Sequence, residues 1–358
     1  GFWLALALAV PGTLFLMHPQ WLLGTVTMDA EVAAKVTTYL WLLAWGLPAS
    51  LFYRTFYVFC NALGKPRVLM GIGLGALAVH AVLAWGLALQ GWAGAPLGVV
   101  GCALSNVLIA WLACLGGAAY LAWGPLGQRY RPFADWAPPD ARRWRELLRL
   151  GLPMGLSNLV EITSFTLISL FIASLGATVV AGHRIVANIS ALTYMLPLSL
   201  AVATMSAVGQ AVGARDWARA HATIKAGLLL AAGLSTLVGL LLWLAAAPLI
   251  AAYTDDPAVH AVAGGLIIFV ALYQFFDALQ TVAGHALRAY RVTFVPMLVQ
   301  ILCFWGIGLL GGGWLCFRWS PPLGVAGFWL ASVASLVLAA SLLLPLLRKA
   351  IQALELPP

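Results

Sequence analysis

Ten apolar runs, each long enough to cross a lipid bilayer, follow one another along this chain with little between them. A hydrocarbon core about 30 Å thick takes roughly 20 residues of α-helix. Runs of that order lie at 2–20, 36–61, 68–91, 96–123, 150–174, 178–212, 222–252, 258–285, 292–316 and 322–347. In lipid a spanning segment must satisfy its own backbone N–H and C=O groups, so runs of this kind are helices. The run at 178–212 is expected to extend beyond the bilayer, and only residues 124–149 separate two runs by any length. The expectation is an all-α integral membrane protein of about ten transmembrane helices, with almost no chain left for a soluble domain.

Composition agrees. Hydrophobic residues make up 63% of the 358 and charged residues 8%, against about 25% charged in an ordinary soluble domain. The net charge of +8 does not indicate a nucleic-acid partner, because the basic residues sit between apolar runs and not on one solvated face. Of the 19 Lys and Arg, 15 fall on one alternate set of loops, from Lys65 and Arg67 to Arg348 and Lys349. Only Lys35 and Arg318 fall on the opposite set, while Arg54 and Arg184 lie inside runs. Cytoplasmic loops collect such residues, which places the C-terminus in the cytoplasm. The five cysteines lie in or beside apolar runs without metal-ligand spacing and read as packing residues.

The chain also repeats itself. Asn61-Ala62-Leu63-Gly64-Lys65-Pro66-Arg67-Val68 matches His285-Ala286-Leu287-Arg288-Ala289-Tyr290-Arg291-Val292 at four of eight positions, at an offset of 224. Pro96-Leu97-Gly98-Val99-Val100-Gly101 matches Pro322-Leu323-Gly324-Val325-Ala326-Gly327 at five of six, at an offset of 226. The matches fall six runs apart, so the halves share one orientation and form a parallel repeat of the kind transporters use. A second unit opening near Leu150 places the start of the first about 75 residues before Gly1, room for two more helices. The chain is therefore expected to be an N-terminally truncated part of a twelve-helix, six-plus-six, two-lobe transporter. Residues 1–123 are the last four helices of the N-lobe, 124–149 a cytoplasmic inter-lobe linker, 150–348 the six-helix C-lobe and 349–358 a cytoplasmic tail. The linker is basic from Gln128 to Arg149 and carries Pro132, Pro138 and Pro139.

Polar groups that remain in a membrane mark function by default. Nine of the eleven acidic residues belong to loops or ends, leaving Glu161 and Asp277 near mid-bilayer on two helices. Asn158 and Ser164 flank Glu161 at helical spacing, and Tyr273, Gln280 and Thr281 share a face with Asp277. Such a pair of acids binds a sodium ion through oxygen ligands or holds a proton on a desolvated carboxylate, and the spacing does not choose between them. Each acid could instead only hydrogen-bond a neighbouring helix.

These residues resemble a known family. Gly151-Leu152-Pro153 followed by Glu161, then Leu175-Gly176-Ala177 and Val208-Gly209-Gln210-Ala211-Val212-Gly213-Ala214, are similar to the opening helices of the second lobe in multidrug and toxic compound extrusion (MATE) transporters. Tyr273-Gln274-Phe275-Phe276-Asp277 with Ala286-Leu287-Arg288 resembles the matching segment of the NorM-like bacterial branch. The resemblance implies a multi-pass protein of the bacterial inner membrane that exports cationic, amphipathic drugs or dyes by antiport with Na+ or H+. It implies no cofactor, no enzymatic activity and a monomer in contact with lipid. Glu161, Asp277 and Tyr273 match the cation-coupling group, with Glu161 and Asp277 the metal ligands if sodium is the ion. Tyr194 matches an aromatic in contact with cation or drug, and Asp256 an acid near the outer mouth of the drug cavity. A further acid of that branch, on the first helix of the first lobe, would precede Gly1.

Plainer readings stand beside these. Tyr194 alone is a packing or interfacial aromatic, and Asp255-Asp256-Pro257 is a helix-capping turn. His183 and Arg184 are snorkelling or hydrogen-bonded groups, the 16 tryptophans are chiefly interfacial or lipid-facing anchors, and Arg54 has no assigned role. Two other functions fit the same frame. A lipid-linked oligosaccharide flippase of the same superfamily would line its cavity with cations for a pyrophosphate, and an intramembrane enzyme would need a convergent nucleophile, base or metal set.

Overall fold

The computed structural model describes residues 1–20, 29–92, 94–130, 138 and 140–355. Among the described residues ten long helices follow the ten apolar runs: α1 Phe2–Met17, α2 Ala30–Ala62, α3 Pro66–Gln90, α4 Val99–Trp123, α5 Ala141–Leu175, α6 Ala177–Gly213, α7 Trp217–Leu244, α8 Pro257–Ala289, α9 Phe294–Phe317 and α10 Val325–Glu355. Eight of them, α3 to α10, are long and apolar enough to cross a membrane. The chain is an all-α, multi-pass membrane protein. Of the other two, α1 has only 16 residues, and α2 is diluted by Thr37, Thr38, Tyr39, Ser50 and Arg54.

Part of the linker region is helical. Residues 125–130 form a short helix, and α5 begins at Ala141, eight residues before the end of the expected linker. Asp140 starts α5 by accepting the Arg142 N–H on Oδ1 at 2.9 Å, which satisfies one of the N–H groups a helix start leaves open. Arg131, Pro132, Asp135, Pro139 and the last three residues of the tail lie outside the described residues.

The chain divides into two compact units, Gly1–Trp144 and Arg145–Pro358. In the first, α2 packs between α1 and α4 while α3 packs on α4. Small residues permit the approach: Gly46 lies against Val107, and Ala44, Ala49 and Ala103 are fully buried. Without a hydrophobic force between helices in lipid, close packing of this kind is what holds them. In the second unit α8 is central, in contact with α6, α7 and α10. Asp256 caps α8 by accepting the Ala258 N–H at 2.8 Å, and Pro257 occupies its first turn. The buried face then runs through Val259, Ala263, Leu266, Val270, Tyr273 and Asp277 at spacings of three and four. Gly182 of α6 meets Val262, and Gly239 of α7 meets the Ala271 carbonyl, so both neighbours approach α8 without a side chain between.

The internal repeat is visible in backbone geometry. Gly98 and Gly324 both open their helices at positive φ, +53° and +57°. Leu97 donates its N–H to the Leu87 carbonyl at 3.0 Å, and Leu323 donates to Leu315 at 3.1 Å. The turn before α3 corrects the other sequence match. Its left-handed residue is Gly64 (φ 64°), and the corresponding residue before α9 is Arg291 (φ 61°). Lys65 N–H bonds to Cys60 O and Val292 N–H to Leu287 O, both across five residues. The structural offset here is therefore 227, so the identities at 224 do not mark equivalent positions. A turn is aligned by the residue that reverses the backbone, and that residue is Gly in one copy and Arg in the other.

Of the cysteines, Cys60, Cys303 and Cys316 are buried, whereas Cys102 is exposed and Cys114 is intermediate. Packing accounts for the first three only. The tryptophans of the described chain are mostly on the outer surface, Trp123 at 78% exposure being the extreme, while Trp329 is 5% exposed.

Candidate cation and substrate site

The two intramembrane acids are brought to one place in the second unit. On α6, Tyr194 donates its hydroxyl to Glu161 Oε1 of α5 at 3.1 Å. On α8, Asp277 is 2% exposed and its Oδ1 accepts from Gln280 Nε2 at 3.0 Å. The same Nε2 lies 3.0 Å from Thr281 Oγ1. Glu161 and Asp277 lie within electrostatic reach of each other, and Glu161 also feels Arg288.

Beside the acids is a partly open cavity of about 330 Å³ lined by α5, α6, α8 and α10, within the ordinary size range of small-molecule sites. Glu161, Tyr194, Tyr273, Phe165, His183 and Trp329 are among its lining residues. Tyr273 stands edge-on to Phe165 and to Trp329, with ring centroids 6.2 Å away in each case. Glu161 is the carboxylate in this lining, and no Lys or Arg of the described residues belongs to it. Aromatic faces with one carboxylate favour a flat organic cation. Asp277 is not part of the lining; it sits one turn beyond Tyr273 on α8.

The MatE family model matches residues 1–85 and 153–313. The chain belongs to the MatE family. A probable multidrug resistance protein NorM of Aromatoleum aromaticum is 52% identical over 352 residues, covering 97% of this chain and 76% of the relative. Multidrug resistance protein PmpM of Pseudomonas aeruginosa is 34% identical over 345 residues, covering 95% and 72%. Among solved structures, an outward-facing multidrug resistance MATE family transporter has a TM-score of 0.87 at 19% identity, covering 99% of this chain and 78% of that one. The eukaryotic MATE transporter AtDTX14 has a TM-score of 0.85, also at 19% identity, with coverage of 99% and 80%.

Several residues of this MatE chain lie elsewhere than their sequence context suggested. Asn158 does not serve Glu161: its Oδ1 accepts from Arg288 Nη2 at 3.3 Å. Ser164 donates to the Phe304 carbonyl of α9 at 3.0 Å. That carbonyl belongs to a π-helical stretch, Ile301–Gly311, whose wider turns leave carbonyls free for side chains. Of the two readings of His183 the hydrogen-bonded one fits: it is 5% exposed, lines the cavity and has Nε2 3.2 Å from Ser169 Oγ. Its neighbour Arg184 is exposed. Asp256 caps α8, 21 residues before Asp277, or about 31 Å along the helix. Arg54 is exposed, with its guanidinium 5.5 Å from the Tyr57 ring.

Two contributors escaped the sequence reading. Trp329 was one of many tryptophans, and nothing in its local pattern separates it from the lipid-facing ones. Arg288 was counted among loop cations, yet it is in the last turn of α8 and reaches back to α5. Both are distinguished by contacts between helices, Trp329 with Tyr273 and His183 and Arg288 with Asn158.

Proposed function

We infer that this protein is a secondary multidrug efflux transporter of the bacterial inner membrane, exporting organic cations by antiport with Na+ or H+. The observation that carries this reading is the aromatic cavity whose wall holds Glu161, with Asp277 buried one turn behind Tyr273. The names of the relatives, multidrug resistance proteins NorM and PmpM, support multidrug efflux. In this scheme Tyr194 holds Glu161 and, with Tyr273, faces the drug, and Asp256 draws cations at the outer mouth. The lobes are 1–123 and 150–348, joined by a cytoplasmic linker, and the C-terminus is cytoplasmic. The functional unit is a monomer in lipid.

An ion entering down its gradient binds near Glu161 and Asp277 and cancels negative charge that otherwise attracts the cationic drug. Drug and ion then prefer different states of the transporter, which coupling requires, because a ligand with equal affinity for both states shifts neither. The cavity wall, with one carboxylate and no Lys or Arg, suits a cation better than a lipid pyrophosphate.

Ethidium counterflow in proteoliposomes, driven in turn by a sodium and a proton gradient, tests the scheme. Wild type is expected to respond to one gradient, and Glu161→Gln and Asp277→Asn to lose that response. Variants that transport like wild type would make both carboxylates structural and refute the mechanism.

A further inference from the structure

Among the described residues, the buried acceptor atoms of the second unit without a hydrogen-bond partner include Asp277 Oδ2 and Gln280 Oε1. Their residues are three apart on α8, on the same helical face, and each is 2% exposed. The orientation of the Gln280 amide is set by its surroundings. An amide nitrogen carries two hydrogens, and Nε2 is 3.0 Å from both Asp277 Oδ1 and Thr281 Oγ1. Turning the amide over would set its oxygen against the carboxylate, so Oε1 is left without a donor. Buried polar atoms are nearly always paired, and one left open calls for an explanation. Here two adjacent ones, an amide carbonyl and a carboxylate oxygen, are of the kind that accept a small hard cation or share a proton.

We propose that Gln280 belongs to the ion-coupling site, its N–H fixing Asp277 Oδ1 while its Oε1 joins Asp277 Oδ2 in receiving the ion. This assignment rests on the antiport reading and adds a residue to it. Gln280 acts in two ways: it positions the carboxylate, and it supplies a neutral oxygen that completes the ion's surroundings.

The test is the coupling ratio, the ethidium Kd with saturating ion divided by the Kd without it, measured by fluorescence on the purified protein. Sodium is titrated against N-methylglucamine at fixed pH, and protons are titrated in sodium-free buffer. By linkage the ratio reports how strongly ion and drug oppose each other. Gln280→Leu, similar in size but without oxygen, is expected to bring a ratio of ten or more down to below two. Gln280→Glu, which restores an oxygen acceptor, is expected to regain at least half of the logarithm of the wild-type ratio. Size-exclusion profiles establish that each variant is folded. A Gln280→Leu protein with the wild-type ratio overturns the assignment while leaving the antiport reading intact. Equal loss of the ratio in the Leu and Glu variants overturns the assignment of Oε1 as a ligand of the ion, since only the N–H to Asp277 Oδ1, which both variants lack, would then matter. A wild-type ratio of one for both sodium and protons would remove the antiport reading itself, and the assignment with it.

Discussion

Alanine at Gly327 would place its Cβ 2.9 Å from Cys316 N, 2.9 Å from Leu315 C and 3.0 Å from Leu315 Cβ. Two of these atoms are backbone and cannot rotate away. The first turn of α10 would have to retreat from the end of α9 by about half an ångström to reach ordinary van der Waals contact. Overpacking of this kind costs about 1–3 kcal/mol. For a unit of roughly 200 residues each kcal/mol lowers Tm by about 2–4 °C, giving an expected drop of about 2–12 °C. The repeat supplies a second instance, because Cβ at Gly101 would lie 2.8 Å from Ala88 Cα and N and from Leu87 C. Gly209 is the control: it is inside α6 with nothing within 4 Å of a Cβ, so alanine there gains up to about 1 kcal/mol of helix propensity. Thermal unfolding in detergent, followed by size-exclusion of the surviving fraction, reads all three. If Gly327→Ala and Gly209→Ala melt together, within 1 °C of wild type, the claim that glycine sets the approach of α9 and α10 is wrong.

Further outcomes follow from single contacts. Asp256→Ala loses the cap on Ala258 N–H and about 1 kcal/mol, visible as a Tm lower by a few degrees. Asp256→Asn keeps the cap and the Tm but weakens ethidium affinity severalfold if the acid draws the drug; unchanged affinity would limit Asp256 to capping. Arg291→Gly relieves a left-handed backbone worth about 1–2 kcal/mol. It also gives up an ion pair to Glu146 whose side chains are 73% and 59% exposed, worth under about 1 kcal/mol. The net expectation is a Tm higher by a few degrees, and a lower Tm would show that the pair outweighs the strain.

Much of the helix pattern was legible in one dimension, because a bilayer demands about 20 apolar residues per crossing and the chain obeys that demand ten times. The acids were legible for a related reason: a carboxylate in hydrocarbon is costly enough to be rare, so Glu161 and Asp277 stood out. The capping role of Asp256 was also readable, since Asp before Pro at a helix start carries its own local logic. The start of α5 was not. Residues 141–149 are rich in arginine, and charge alone does not separate a solvated loop from a solvated helix.

The amino-acid order by itself determined that this chain lies in a membrane, where its helices run and which two carboxylates they carry, because those properties depend on composition within a single segment. The tertiary structure decided what each polar group touches. Asn158 turned to Arg288, Ser164 to the open carbonyl of Phe304, and Tyr194 to Glu161. It also separated Trp329, in the cavity wall, from the tryptophans facing outward. Those choices are made between helices 33 to 140 residues apart in the chain. Helical periodicity says which residues share a face, but only packing says which face meets it.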